Sequence, residues 1–250
     1  LLLLGAQRSG TTALGLVLNA AFAETGGVFT VNGKLPYLLH RWCTQADLTG
    51  RHLRVDEILH ALDRRAMLGR GSTQWRARVE QVLRRAATEV AAGTTRGAGE
   101  LRRQIVTDTY SGANRWGEKY NEYLLELDQL DRTIPDGQWV LVVRHPAAVA
   151  ASMLHWRGDR PWRPVDMTAA LRKYVAWHEP WLEHAGAERT VVVEYGRICS
   201  PGGLRSLSTA MGLDLAPHQQ ELVERPTDSD VELPTDVERI WRALLERAAP

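Results

Sequence analysis

The chain has 250 residues, 44% of them hydrophobic, enough to bury a substantial core within one domain. Its 31 basic and 30 acidic side chains nearly cancel to a net charge of +1, and the cations form no long tract, so nucleic acid is not an expected partner. No apolar run approaches membrane-spanning length.

The first strand is expected over residues 1–5, where Leu1-Leu2-Leu3-Leu4 is apolar on both faces, as in a buried parallel sheet. It runs into Gly5-Ala6-Gln7-Arg8-Ser9-Gly10-Thr11-Thr12 and a helix over 12–23 with Leu14, Val17, Leu18 and Ala21 on its apolar face. The four leucines are too few for a signal-peptide core, and a start without methionine leaves room for a leader or a larger parent protein. Gly26-Gly27 breaks the helix, 28–31 reads as a second strand, and 35–43 as a helix with Pro36 in its first turn.

Residues 53–93 read as a helical hairpin, a cap or substrate-side insertion. One stripe is Val55, Ile58, Leu59 and Leu62; the other is Trp75, Val79, Val82, Leu83, Ala86 and Val90. A loop over 93–99 follows, then a strand over 104–107 ending at Asp108. A helix over 120–131 precedes the buried strand 139–143, which ends at Arg144. Pro146 opens a helix through His155. Met167, Leu171, Val175 and Leu182 mark a longer helix interrupted by Pro180. A strand over 190–194 and helices over 204–211 and 236–248 complete an α/β, three-layer, P-loop-like domain with a central parallel sheet and a helical insertion.

Ligands in such sheets bind at the carboxyl ends of strands. The loop 5–12 keeps the two glycines and final hydroxyl of Gly-x-x-x-x-Gly-Lys-[Ser/Thr], but Thr11 replaces the lysine and Arg8 lies inside the loop. Backbone amides and a helix N-terminus form an anion nest there, with donors from Arg8, Ser9, Thr11 and Thr12. Strand 139–143 ends in Arg144, where a magnesium-dependent nucleotidase would place a carboxylate. Arg144 with Ser152 on the next helix makes a second anion site. The two sites together imply a nucleotide with phosphates at both ends of its ribose. Lys119, in Arg115-Trp116-Gly117-Glu118-Lys119-Tyr120, is placed where a loop enters a helix and can stabilise charge on a leaving oxygen. It is one of three lysines, with Lys34 and Lys173. Cys43 and Cys199 stand apart from each other and from any histidine pattern, which points to a reducing, cytoplasmic compartment.

These residues resemble the sulfotransferases that use 3′-phosphoadenosine 5′-phosphosulfate, especially the branch of bacterial and tyrosylprotein enzymes. Arg8-Ser9-Gly10-Thr11-Thr12 resembles the family's 5′-phosphosulfate loop. Val142-Val143-Arg144-His145-Pro146 with Ser152 resembles its 3′-phosphate site, with His145 where aspartate is common. Trp116-Gly117-Glu118-Lys119 resembles the segment whose lysine contacts the transferring group, though Tyr120-Asn121 replaces the usual Thr-Pro. Val193-Glu194-Tyr195, Pro201 and Met211-Gly212-Leu213 resemble the strand that brings a tyrosine near the adenine. The resemblance covers roughly residues 1–215 and is specific at the nucleotide landmarks.

It implies metal-free, in-line transfer of a sulfuryl group to a hydroxyl, with a small molecule as the expected acceptor, leaving adenosine 3′,5′-bisphosphate. The donor would be held by Arg8, Ser9, Gly10, Thr11, Thr12, Arg144, Ser152 and Tyr195, with Arg8, Lys119 and Asp108 in catalytic roles. Tyrosylprotein enzymes carry a glutamate after the first helix, whereas Asn32-Gly33-Lys34 offers no carboxylate. Asp108 is the first substitute as general base, followed by Glu118, His40 and His155. Trp156, Trp162 and Trp177, with Arg157, Arg160 and Arg163 and the stiffening Pro161 and Pro164, are candidates for one wall of an acceptor pocket. Two other readings stay open: a P-loop small-molecule or nucleotide kinase with Asp108 or Glu194 as metal carboxylate, and a non-catalytic nucleotide-binding domain.

Overall fold

A computed structural model describes residues 1–64, 67–95, 97–156, 162–223 and 231–248. In chain order, β1 (Leu2–Leu4) leads through the glycine loop into α1 (Thr11–Glu24) and β2 (Val28–Val31). Four helices then follow: α2 (Leu35–Trp42), α3 (Gln45–Thr49), α4 (Val55–Asp63) and α5 (Ser72–Ala92). After α6 (Ala98–Thr109) come β3 (Trp116–Lys119), a 3-10 turn (Asn121–Leu125) and α7 (Leu127–Thr133). The remainder is β4 (Trp139–Val143), α8 (Pro146–Leu154), α9 (Met167–Glu183), β5 (Thr190–Glu194), α10 (Tyr195–Cys199), α11 (Arg205–Met211) and α12 (Thr235–Glu246).

The strands form one sheet in the order β2-β3-β1-β4-β5, flanked by helices. β2–β3, β1–β4 and β4–β5 all pair in parallel, with Leu3 opposite Val140 and Val140 opposite Val191. Every residue of β1 and β4 is buried, which is why both read as continuous apolar runs. Strand order reverses at β1, and the glycine loop leaves its carboxyl end.

Two compact units are distinguishable: Leu1 with residues 18–137, and residues 2–17 with 138–250. In the first, α4 and α5 form the expected hairpin. Both apolar stripes are buried as read from sequence, together with Leu35, Leu38 and Leu39 of α2 and Leu101, Ile105 and Val106 of α6. Each buried aliphatic side chain of α4 contributes about 1.5–3 kcal/mol. Arg76 of α5 joins the two helices near the end where the chain passes from α4 to α5, with two hydrogen bonds of 2.8 Å to the Asp63 carboxylate. In the second unit, the small residues Ala147, Ala148 and Ala150 let α8 approach its neighbours, and α12 buries Val237, Ile240, Trp241 and Leu244 on one stripe.

Four local expectations are corrected. Residues 104–107 belong to α6, because Ala98, Leu101, Ile105 and Thr109 recur at helical spacing on its buried face. Asp108 is therefore near a helix end and does not terminate a strand. Residues 116–119 form β3, so Lys119 ends a strand, and the helix expected over 120–131 divides into the 3-10 turn and α7. Pro180 lies inside a continuous α9, three residues before its end. Tyr195 opens α10, held there by Glu194, whose carboxylate accepts from the amides of Gly196 (3.0 Å) and Arg197 (2.9 Å). Among the described residues, no helix is long and apolar enough to cross a membrane.

Candidate active site

Two polar clusters sit at strand ends, one in each unit. The first is built on the loop after β1. Its turns take positive φ at Gly5 (147°), Arg8 (71°) and Gly10 (93°), a conformation that glycine adopts without steric cost. Space is as restrictive as conformation. A Cβ at Gly5 would stand 2.6 Å from Thr11 Cγ2 and 2.8 Å from the Val142 carbonyl oxygen. At Gly10 it would meet the Tyr195 ring at 2.1 Å.

The loop also meets the residues expected to form a second anion element. Arg8 Nε donates to Ser152 Oγ at 3.0 Å, and the Arg144 guanidinium lies over the Tyr195 ring at 5.4 Å from its centroid. The Tyr195 hydroxyl donates to the Val223 carbonyl at 3.4 Å. Arg8 and Thr12 are exposed, while Ser9 and Thr11 are buried. Ser9 Oγ is fully buried and, among the described residues, has no hydrogen-bond partner, an arrangement that costs free energy unless a ligand oxygen supplies one. A phosphate-like anion fits this donor set: the cradle excludes side-chain atoms at both glycines, and two guanidinium groups and a hydroxyl lie nearby.

The second cluster lies at the ends of β2 and β3. Lys119 is 1% exposed, and its Nζ donates to Asn121 Oδ1 at 2.9 Å and Asn32 Oδ1 at 3.4 Å. Asn32 takes φ 69°, which asparagine tolerates better than most residues, and its amide donates to the Lys119 carbonyl at 2.8 Å. Lys34, also buried, caps the start of α2 in the left-handed region. Behind Lys119, Glu118 is fully buried and accepts hydrogen bonds from the hydroxyls of Tyr110 and Tyr123 and from the Leu35 amide (3.2 Å). Burial pushes its carboxyl up to about 7, only partly offset by those three donors.

The four candidate bases are thereby separated. The Asp108 carboxylate is ion-paired with Arg85, and its main-chain oxygen accepts from Arg78 at 3.0 and 3.2 Å. The Glu118 oxygens tie β3 to α2 and α6. His40 accepts at Nδ1 from Arg102 at 2.8 Å, which places its own proton on Nε2; burial, with Arg102 next, lowers its basicity. His155 is the reverse case. Its Nδ1 lies 2.7 Å from the Ala151 carbonyl and must donate, leaving the Nε2 lone pair as acceptor on an exposed ring. For the kinase reading, Glu194 is engaged as the α10 cap and Asp108 with Arg85. Among the described residues, no group of three or more histidine, cysteine or carboxylate side chains could hold a metal.

Of the aromatic segment, Trp156 and Trp162 lie 5.0 Å apart, and Arg163 donates to the Leu154 carbonyl at 2.9 Å. Arg157, Arg160 and Pro161 lie outside the described residues. Lys173 was not expected at a site from sequence, yet its Nζ reaches Gln7 of the glycine loop at 2.8 Å. The only signal for it was the rarity of lysine in an arginine-rich chain.

Comparison with known proteins gives this geometry a family. Residues 1–217 match the sulfotransferase family model described as Sulfotransfer_3. The chain belongs to the sulfotransferase family, and its class is that of the enzymes that use 3′-phosphoadenosine 5′-phosphosulfate. Among solved structures it is similar to the sulfotransferase domain of the olefin synthase of Synechococcus PCC 7002, with a TM-score of 0.60 and 16% identity, covering 100% of this chain and 94% of that one. It is also similar to the sulfotransferase domain from the curacin biosynthetic pathway, with a TM-score of 0.54 and 13% identity, covering 100% and 98%. At these identities the likeness is one of fold. No curated protein sequence matches the chain.

Proposed function

We propose that the protein transfers a sulfuryl group from 3′-phosphoadenosine 5′-phosphosulfate to the hydroxyl of a small molecule by direct in-line displacement. The donor supplies an activated sulfate; the acceptor oxygen–sulfur bond forms as the sulfur–oxygen bond to the 5′-phosphate breaks, and adenosine 3′,5′-bisphosphate leaves. The observation that carries this reading is the joined loop: Gly5, Arg8 and Gly10 at positive φ, Ser9 Oγ buried and unsatisfied, and Arg8 bonded to Ser152.

In this reading Arg8, Ser9, Gly10, Thr11 and Thr12 hold the 5′ end, Arg144 and Ser152 hold the 3′-phosphate, and Tyr195 supports both by packing on Gly10 and under Arg144. Arg8 and Lys119 stabilise charge on the transferring group and leaving oxygen. Asp108 held the role of base on the strength of a strand end that the fold replaces with a helix. His155 takes that role here, because its Nε2 is the acceptor nitrogen left by an anchored Nδ1–H. The motifs 142–146 and 116–119 favour the branch of bacterial and tyrosylprotein enzymes. Asn32-Gly33-Lys34, which offers no carboxylate, weighs against a protein tyrosine as acceptor. The 53–93 hairpin is read as a substrate-side cap, and Cys43 and Cys199, neither of them in a disulfide, accord with a cytoplasmic setting.

Isothermal titration with adenosine 3′,5′-bisphosphate, with and without magnesium and with ATP as comparison, tests the reading. Metal-independent binding that weakens about tenfold or more in Arg144→Ala and Ser152→Ala is expected, the scale of a lost charge-assisted hydrogen bond. Magnesium-dependent ATP binding with silence toward the bisphosphate would move the kinase reading to first place.

A further inference from the structure

Lys173 joins two parts of its unit that are distant in sequence. From α9 its Nζ donates to Gln7 Oε1 at 2.8 Å and to the Trp162 carbonyl at 2.7 Å. The same ammonium lies over the rings of Trp162 and Trp177, 5.2 and 5.3 Å from their centroids. Trp177 is buried one helical turn further along α9, so one ring face is fixed by the helix itself. Gln7 directly precedes Arg8, the loop residue whose φ of 71° is costly for a side chain that is not glycine.

A strained residue keeps its conformation only where its neighbours over-determine it. Arg8 is held on its far side by Ser152, and Gln7 is held on its near side by Lys173. With two oxygens and two indole faces already around it, the Lys173 ammonium is committed to holding protein groups.

We infer that Lys173 is a positioning residue: by anchoring Gln7 against the Trp162 segment it fixes Arg8 in the left-handed conformation that receives the 5′ end of the donor. The inference rests on the sulfotransferase reading of the loop. It makes the loop's affinity for a 5′-anion depend on a lysine that does not touch that anion.

The test uses the full chain, isothermal titration and two probes: adenosine 3′,5′-bisphosphate, and adenosine 3′-monophosphate, which lacks the 5′ group. Lys173→Met, which keeps the apolar stem, and Gln7→Leu should each weaken bisphosphate binding about tenfold, the scale of losing a hydrogen bond to a charged group. The double variant should lose little more than either single one, since both cut the same link. Lys173→Arg should restore most of the affinity. Binding of the monophosphate should stay within about twofold throughout, because Arg144 and Ser152 are untouched. Unchanged bisphosphate binding in Lys173→Met would overturn the inference, and so would equal losses for both probes, the sign of general loosening. Should Lys173→Met fail to fold by circular dichroism, Gln7→Leu and Lys173→Arg decide by the same criteria. A wild-type chain that binds neither probe refutes the donor reading itself, a result distinct from any of these.

Discussion

Tyr195 closes against the backbone of Gly10 so tightly that a Cβ at residue 10 would stand 2.1 Å from its ring. The glycine is thus required twice, for a φ of 93° and for the space the tyrosine occupies. Gly212, at φ 59° after α11, is required once, since nothing lies within 4 Å of its absent side chain. Gly212→Ala should cost about 1–2 kcal/mol in denaturant unfolding, the strain of the left-handed region alone. Gly10→Ala should cost about 3 kcal/mol or more and abolish bisphosphate binding, because strain and overpacking add. Equal costs at the two positions would show that Tyr195 gives way freely.

Lys119 should separate binding from chemistry. Its ammonium is buried between Asn121 and Asn32 and is read as serving charge that develops only during transfer. With the phosphosulfate donor and an acceptor found in a panel of phenols and alcohols, Lys119→Met should lower kcat by about a hundredfold to a thousandfold. Affinity for the intact phosphosulfate donor, measured without acceptor, should move by no more than about threefold, because the charge on the bridging oxygen has not yet developed. A raised KM with unchanged kcat would reassign Lys119 to ground-state binding.

Much of the fold, and the glycine loop that the proposed anion site uses, is legible in the sequence, for reasons that vary by segment. The 1–12 and 139–144 segments stand out because full burial on both strand faces leaves an uninterrupted apolar run, and because two glycines framing a hydroxyl-rich turn are what a tight path around an anion requires. The 53–93 hairpin is readable because both stripes keep a helical period over many residues. The run Ile105-Val106-Thr107 misleads because β-branched residues favour strands locally, while their packing with α5 and α2 decides the outcome. β3 is hidden for the opposite reason. Trp116-Gly117-Glu118-Lys119 carries a glycine and two charges, and the hydroxyls of Tyr110 and Tyr123 with the Leu35 amide make Glu118 tolerable in a buried strand. The Arg8–Ser152 and Lys173–Gln7 bonds join residues more than 140 positions apart, and a single sequence holds no signal for such pairs.

The choice of base is open to a direct comparison. His155 presents an acceptor nitrogen, and the Asp108 carboxylate is turned to Arg85. His155→Ala should lower kcat about a hundredfold, the usual contribution of a positioned base, with bisphosphate binding intact. Asp108→Asn should leave kcat within about threefold and act mainly on stability, as a partly exposed ion pair does. The opposite pattern would return the role to Asp108.

Two buried groups give stability opposing pH dependences. Burial drives His178 down to about 4 from an ordinary 6.5, although its Nδ1 donates to the Tyr174 carbonyl at 2.8 Å. Between those values the unfolded chain binds a proton that the folded chain refuses, so this contribution falls as pH drops from about 6.5 toward 4, by about 3 kcal/mol in all. Glu118 runs the other way. Its carboxyl rises from 4.5 to about 7 in the fold, so its contribution is complete below 4.5 and is lost as pH climbs toward 7, again by about 3 kcal/mol. Between about pH 4.5 and 6.5 the two slopes offset each other in the wild type. Each substitution should therefore uncover the other group. Glu118→Gln should leave a stability that declines steadily on acidification, and His178→Phe one that declines as pH rises through the same range. Urea unfolding from about pH 4.5 to 7.5 reads both slopes, and a flat profile in Glu118→Gln would show that His178 finds a proton acceptor in the folded chain.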